Sequence, residues 1–448
     1  MSISEIRAFT TSHAARFILV GALMAAPLAF GAVQPWAWAG LATGVFAALS
    51  LWALSSLKLG SFEIGMTPLY GVLLWLLLLI VAQRIRNVSF DPMGAHEAAV
   101  KLVLCALVFF LARELFPPQA AHPWSRLGLA VTVYLFAIAL LAILQFFSSP
   151  DLIYWTRRPL WGGTVFGPYV NHNHYAGLLE ILIPIGLAYI LSSRHGARSL
   201  LFFAIVIAIA SVLLSGSRGG ILSLIVEFTI FCALIPRQQR ESKRARAAIL
   251  AGLSFAAAAL VTFLWFDPGN VISRLEQTAT SPRMSVADRR LYAADALRMF
   301  RDYPLMGIGA GSFEAAYPAY QSFSSDLVVN HVHNDYLEAL AELGIVGFAL
   351  ILIALFLFLR KVFFEHSVGS AAVHWVGTGA AVGCCGLLVH SFSDFNLHIP
   401  ANAAWFAFAA GLATASRPIA KRGPGQKQKK MRPKIRWHAS SHQFEACP

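Results

Sequence analysis

The densest cluster of chemically capable side chains is His331-Val332-His333-Asn334-Asp335-Tyr336-Leu337-Glu338, continuing to Glu342-Leu343-Gly344-Ile345-Val346-Gly347. Imidazole is the side chain best suited to take a proton near neutral pH, which makes His333 the leading candidate for acid–base work. A helix starting here presents backbone N–H groups and a positive dipole end to an anion. Asp335, Glu338 and Glu342 fall at i, i+3 and i+7, so they share one helix face. The plainer reading is that acids favour a first helical turn on any helix.

Three further segments carry polar chemistry. Ser215-Gly216-Ser217-Arg218-Gly219-Gly220 interrupts two apolar runs with small residues and one arginine. Its glycines expose backbone N–H groups, and the planar fork of Arg218 matches phosphate oxygens; otherwise it is a tight turn with a snorkelling arginine. Asn171-His172-Asn173-His174-Tyr175-Ala176-Gly177 opens an apolar segment with four hydrogen-bonding side chains, where a helix cap needs one. Arg289 and Arg290 sit on an expected helix over about 285–302, begun by the Ser285/Asp288 pair and ended by Pro304. Glu180 and Glu227 lie within apolar segments, where carboxylates are costly and mark either function or a structural partner. Gly307-Ile308-Gly309-Ala310-Gly311 superficially resembles a nucleotide loop but follows no strand–helix unit. No His/Glu spacing of a zinc hydrolase and no acidic pair for a divalent-metal sugar-nucleotide site is present, so no metal and no cofactor is expected.

These residues must be positioned by a membrane-embedded frame. The chain has 448 residues, 57% hydrophobic and 13% charged, far more apolar and far less charged than a soluble domain. Such a composition cannot be buried in one or two globular cores. The five cysteines form neither a zinc pattern nor a paired framework and read as small buried residues. The first apolar run reads as a retained span rather than a cleaved signal. At ~20 apolar residues per crossing, spans are expected near 15–33, 36–57, 66–82, 98–113, 126–147, 173–192, 199–215, 220–236, 247–266, 337–359, 371–391 and 398–416. The expected fold is therefore an all-α polytopic membrane protein of about twelve helices.

Lys and Arg set the orientation. With residues 1–14 and the basic tail 417–448 in the cytoplasm, the cluster Arg237, Arg240, Lys243, Arg244, Arg246 also falls inside. The tail reads as disordered by composition, an anchor that attracts anionic lipid rather than nucleic acid. The net charge of 35 − 22 = +13 is then mainly an orientation device. Spans one to nine occupy 15–266 and spans ten to twelve 337–416. Between the ninth and tenth, residues 267–336 are expected to form a mostly helical cap on the outer side. The basic residues assigned to the outer side are arginines apart from Lys101, which fits recognition of phosphate by individually placed forks.

In these motifs the chain resembles the bacterial O-antigen ligase and O-antigen polymerase superfamily. His333-Asn334, nine residues, Gly344, two residues, Gly347 is similar to the ligase-type pattern. Phe166 to Gly177 resembles a second family segment, with His172 where arginine is common, and Ser217-Arg218-Gly219-Gly220 resembles a third. Asp288-Arg289 ahead of Pro304-Leu305 resembles the periplasmic-loop pattern. His390-Ser391-Phe392-Ser393-Asp394-Phe395-Asn396 through Pro400-Ala401-Asn402 resembles a late motif of the polymerase branch.

The resemblance implies a membrane glycosyltransferase in the bacterial inner membrane with its active site on the periplasmic side. Its donor would be an undecaprenyl-pyrophosphate-linked glycan, and its acceptor a glycan or lipid A-core hydroxyl. It implies His333 as general base or acceptor positioner, with Asn334 and Asp335 orienting it. Arg218, Arg289 and Arg290 would hold the pyrophosphate. Asn171, His172, Asn173, His174, Glu338, His390 and Asp394 would contact the glycan or acceptor. A protein O-oligosaccharyltransferase is the near alternative, and a polytopic transporter the alternative from another class. Residues confined to one face and the absence of visible repeats weigh against the transporter.

Overall fold

The computed structural model describes residues 3–159, 163–192, 198–234, 286–324, 328–364, 370–415 and 435–438. Eight helices assemble before the first break longer than ten residues: α1 (Ile3–Leu28), α2 (Pro35–Leu59), α3 (Pro68–Ile85), α4 (Pro92–Leu115), α5 (Ala121–Ser148), α6 (His172–Ser192), α7 (Arg198–Ser215) and α8 (Arg218–Leu234). After it come α9 (Val286–Asp302), the single turn α10 (Phe313–Ala316), α11 (Asp335–Phe364), α12 (Ala371–His390) and α13 (Pro400–Ala415). Strand β1 (Ser61–Ile64) pairs antiparallel with β2 (Ile435–His438).

The helix boundaries follow from local chemistry. Pro35, Pro68 and Pro92 occupy the first turns of α2, α3 and α4, where a missing N–H costs nothing. Thr67 and Asp91 cap the latter two by accepting from Leu69 N and Met93 N. Gly60 ends α2 in the left-handed conformation.

Eight of these helices are long and apolar enough to cross a membrane. Eleven of the twelve expected spans coincide with described helices; the expected span 247–266 lies outside the described residues. So do the basic cluster 237–246, the first part of the expected cap (267–285) and most of the tail. Burial divides the bundle into centre and periphery. Of the apolar windows, 83% of that in α6 and 72% of that in α12 is buried, against 22% in α2 and α11. The apolar outer faces of the peripheral helices are what lipid would cover. The central pair packs closely because a Cβ on Gly379 or Gly383 of α12 would collide with the α6 backbone at Pro184–Ile185 or Ile181. Small residues permit that approach where apolar burial gives no preference for one helix over lipid.

A second core lies at one end of the bundle. Tyr292, Ala296 and Met299 of α9 pack with Ile308, Phe313, Ala316, Tyr317, Val332 and Ala341. Buried Asp295 ties this layer internally, accepting from Tyr317 Oη at 2.9 Å and Ser322 N at 3.2 Å. The layer is fastened to the bundle through Gln83, whose amide donates to the carbonyls of Met306 and Glu342 and accepts from Ala310 N. Glu342 is part of the same joint, accepting from Gly311 N at 2.9 Å and Phe313 N at 3.0 Å.

Helix α11 is broken at Gly344, which has φ 62° and ψ −168°. The backbone freed by the break pairs with segment 304–309. Ile308 N and Gly309 N donate to the carbonyls of Ala341 and Glu342, and Ile345 N donates to that of Pro304. A Cβ at 344 would strike the Leu305 carbonyl, and one at Gly307 the Glu342 carbonyl. Gly307 and Gly311, which only superficially resembled a nucleotide loop, are thus close-packing positions. Gly344→Ala combines a forbidden backbone region with a steric collision and is expected to cost about 2–4 kcal/mol. Thermal unfolding in detergent checks this; an unchanged midpoint would show that the break is dispensable.

Candidate functional site

Four loop or turn segments converge at the end of the bundle that carries the second core. They are the start of α6, the α7–α8 turn, the approach to α11 and the α12–α13 connection. His172 Nδ1 lies 2.8 Å from the Ser215 carbonyl, joining the first two. Gly219 is tight against the His390 ring and Ser393, joining the second to the fourth. Asp335 N donates to the Ser391 carbonyl and Asn334 Nδ2 to that of Phe392, joining the third to the fourth. Asn402 closes the set from α13: it donates to the His174 carbonyl and to Asn396 Oδ1, and accepts from Tyr169 Oη.

His333 sits at φ 57°, a left-handed conformation unusual for a residue with a Cβ. Its ring is held between Tyr292 of α9, stacked at 6.4 Å, and Phe395, edge-on at 4.7 Å. Its Nδ1 lies 3.3 Å from Asp394 Oδ1, and His174 Nε2 approaches the same oxygen at 3.7 Å. Asp394 is fully buried, with its Oδ1 also accepting from Phe395 N. Burial pushes this carboxyl up, but the imidazoles of His174 and His333 outweigh it and hold the group well below the usual carboxylate range.

The sequence assigned the orienting of His333 to Asn334 and Asp335, and the geometry differs. Asn334 Oδ1 accepts from Tyr336 N and Leu337 N at 3.0 Å each, the contacts of a helix N-cap. Asp335 turns to the other side of the site and meets His398 Nδ1 at 2.9 Å. The carboxylate at His333 is Asp394, from a segment 61 residues away. Two side chains of the site went unassigned in the sequence, Phe395 and His398. Phe395 touches the rings of His174, His331 and His333, and the one available signal was their place in the polar stretch after α12.

Beside this centre lies a second cluster. Glu338 faces His331 Nδ1 at 2.6 Å and His398 Nε2 at 3.2 Å, and accepts from Val332 N at 2.9 Å. His331, Glu338 and His398 bring their ligand atoms within 4.8 Å of one another, so the trio is a possible metal set. Its contacts fit hydrogen bonding better. The 2.6 Å separation is that of a shared proton, and both His398 nitrogens already face carboxylates. Burial alone pushes His398 down, yet Glu338 and Asp335 outweigh it and carry it to about 10. Burial dominates at His331, which is lowered despite Glu338.

His398 is therefore a charged tie between α11 and the α12–α13 connection, with Asp335, Glu338, Glu342 and His331 the titratable groups around it. A raised cationic group stabilises the fold fully below its unfolded value, about 6.5. That contribution is lost as pH rises towards 10. Thermal stability in detergent is thus expected to fall from pH 6.5 to 10, and less so in His398→Gln. Equal slopes in the two proteins would rule the tie out.

The remaining expected site residues divide by exposure. Glu338, His390 and Asp394 are buried, and His390 Nδ1 is bonded to Glu180 Oε1 at 2.8 Å. Asn171, His172 and Asn173 are half-buried, Asn171 Oδ1 accepting from Asn173 N. Arg218 is exposed at the first turn of α8. Arg289 lies one helical turn before Tyr292, its Nε buried without a hydrogen-bond partner among the described residues, and Arg290 is exposed.

A helical membrane protein with a histidine–carboxylate centre at one bundle end is the class this architecture defines. Residues 203–352 match the family model described as O-antigen ligase, which supports the O-antigen ligase/polymerase superfamily. No curated protein sequence matches the chain. The matched stretch runs from α7 into α11 and holds Arg218, Arg289, Arg290, His333, Asn334, Asp335 and Glu338. The family supports glycosyltransferase activity of the O-antigen ligase/polymerase kind, with lipid-linked glycan and acceptor as general partners.

Proposed function

We propose that this chain transfers a glycan from an undecaprenyl-pyrophosphate carrier to an acceptor hydroxyl at the periplasmic face of the bacterial inner membrane. The observation that carries the proposal is the His333–Asp394 pair beside the Ser217–Gly220 turn, His333 sharing the matched family segment with Arg218 and Arg289. The buried carboxylate at Nδ1 favours the tautomer with a proton there, leaving the Nε2 lone pair to act as base.

In the proposed step the acceptor oxygen attacks the anomeric carbon and its proton passes to His333 Nε2. The bond from that carbon to the phosphate oxygen breaks, and undecaprenyl pyrophosphate leaves with the electron pair. Arg218 and Arg289 stabilise the charge that grows on it, with Arg290 at the rim. The donor is already activated as a diphosphate, so the scheme uses neither ATP nor metal. Asn171, His172 and Asn173 border the glycan, whereas Glu338, His390 and Asp394 act from within by holding the site in shape.

Integration of the 390–402 segment into the centre supports the polymerase branch, in which one lipid-linked glycan is the acceptor for another. The test is the purified full-length protein in lipid nanodiscs, given a lipid-linked repeat unit in the presence of chelator. Longer glycan and free undecaprenyl pyrophosphate are expected. No transfer to either a lipid-linked or a lipid A-core acceptor would overturn the proposal. Activity lost to chelator and restored by Mg²⁺ would overturn its metal-free part.

A further inference from the structure

Beneath the His390–Asp394 turn, α6, α8 and α12 enclose a group of buried oxygens that the proposed reaction does not use. Gly220, Ser223 and Glu227 lie at i, i+3 and i+7 on one face of α8. That face meets Glu180 of α6, since a Cβ on Gly220 would lie 3.2 Å from Glu180 Oε1. Its lower part meets α12, where a Cβ on Gly386 would overlap the Glu227 carboxyl. Glycine at 386 is what makes room for that carboxyl.

The depths agree. At 1.5 Å per residue, Gly220 lies about 3 Å below the start of α8 and Gly386 about 6 Å below the end of α12. The two carboxyl groups, each beside one of these glycines, are therefore within about one helical turn of each other in depth. Ser223 is exposed by 0%, Glu180 by 0% and Glu227 by 3%. Glu180 Oε2, both Glu227 oxygens and Ser223 Oγ have no hydrogen-bond partner among the described residues. Four orphaned buried oxygens are costly unless something not belonging to the chain satisfies them.

The charge count narrows what that is. Glu180 is paired with His390 at 2.8 Å, so Glu227, when ionised, is the uncompensated charge. Neutralising it takes one unit of positive charge, whereas a divalent ion would leave an excess of one. The donors are all oxygen, the set preferred by hard cations. Intramembrane carboxylates in transport proteins commonly serve ions in this way.

We infer that Glu227, Ser223 and the free oxygen of Glu180 form a binding site for one monovalent, sodium-sized cation inside the bundle. The site lies one layer below the His390–Asp394 turn and is joined to it by the Glu180–His390 bond. Bound cation would fix Glu180, and through it His390 and the Gly219 turn packed on that ring.

The full-length protein in detergent, at constant ionic strength and pH, tests this with Na⁺ titrated against choline. A saturable rise of a few degrees in the unfolding midpoint is expected, abolished in the isosteric Glu227→Gln and weakened in Ser223→Ala. Binding of ²²Na⁺ to the wild-type protein, one per chain, is the second expected result and needs no variant. No Na⁺-specific rise, or a rise that persists in Glu227→Gln, would overturn the inference. Repeating the titration at a second pH reads the rival outcome: a midpoint that shifts with pH and ignores Na⁺ would also overturn the inference, showing that Glu227 is neutralised by a proton instead.

Discussion

Replacing His333 with alanine is expected to lower glycan transfer by about 10²–10⁴-fold, the span that positioned acid–base catalysis supplies. The substitution removes a partly exposed imidazole whose Nδ1 faces a buried carboxylate. In the proposed step donor binding rests on the arginines, so the loss should fall on kcat and leave KM for the lipid-linked donor nearly unchanged. Truncation also relaxes the left-handed backbone at 333 only in part, so insertion and folding must be confirmed by thermal unfolding of the same preparation. Undiminished turnover in folded protein would sink the catalytic role.

Asp394→Asn carries the second large effect, an expected fall of about 10–100-fold in kcat, as found when outer partners of a working imidazole are removed. Asparagine fills the same volume but no longer offers a carboxylate to His333 and His174. Because Asp394 acts through His333, the two losses should not add: in the His333→Ala background the second substitution should cost little more. Full additivity would place the effect of Asp394 elsewhere, for instance in the fold alone. The paired experiment thereby separates positioning from general stability.

The sequence made the frame readable because the signals that define it are local. Runs of apolar residues bounded by Pro35, Pro68 and Pro92 specify helices whatever they pack against, and eleven expected spans fall on described helices. The helix over 286–302 was legible for the same reason, ending at Asp302 just before Pro304. The polar motifs were legible as motifs. His333, Arg218, Asn171–His174 and His390–Asp394 stand out because polar side chains at the ends of apolar spans are few.

Partnership was not legible. Asp335 adjoins His333 by only two residues, yet a helix start points successive side chains about 100° apart, and Asp335 faces His398 while Asp394 arrives from another connection. Glu180 and His390 are separated by 210 positions and meet only because Gly379 and Gly383 let α6 and α12 pack at backbone contact. Gly344 read as half of a motif; in space it is the break through which segment 304–309 pairs with α11.

By itself, then, the sequence determined that this is a helical membrane protein, where along the chain its described helices fall, and which polar segments stand out at their ends. Hydrophobic run length and capping act over one or two turns and need no tertiary context. Only the tertiary structure decided which carboxylate serves which histidine, that Asn334 is a cap, and that Glu180 faces α8 and Glu227 faces α12 beneath the site. Those pairings depend on helix packing and on glycine-permitted close approach, which are set by contacts between segments far apart in the chain.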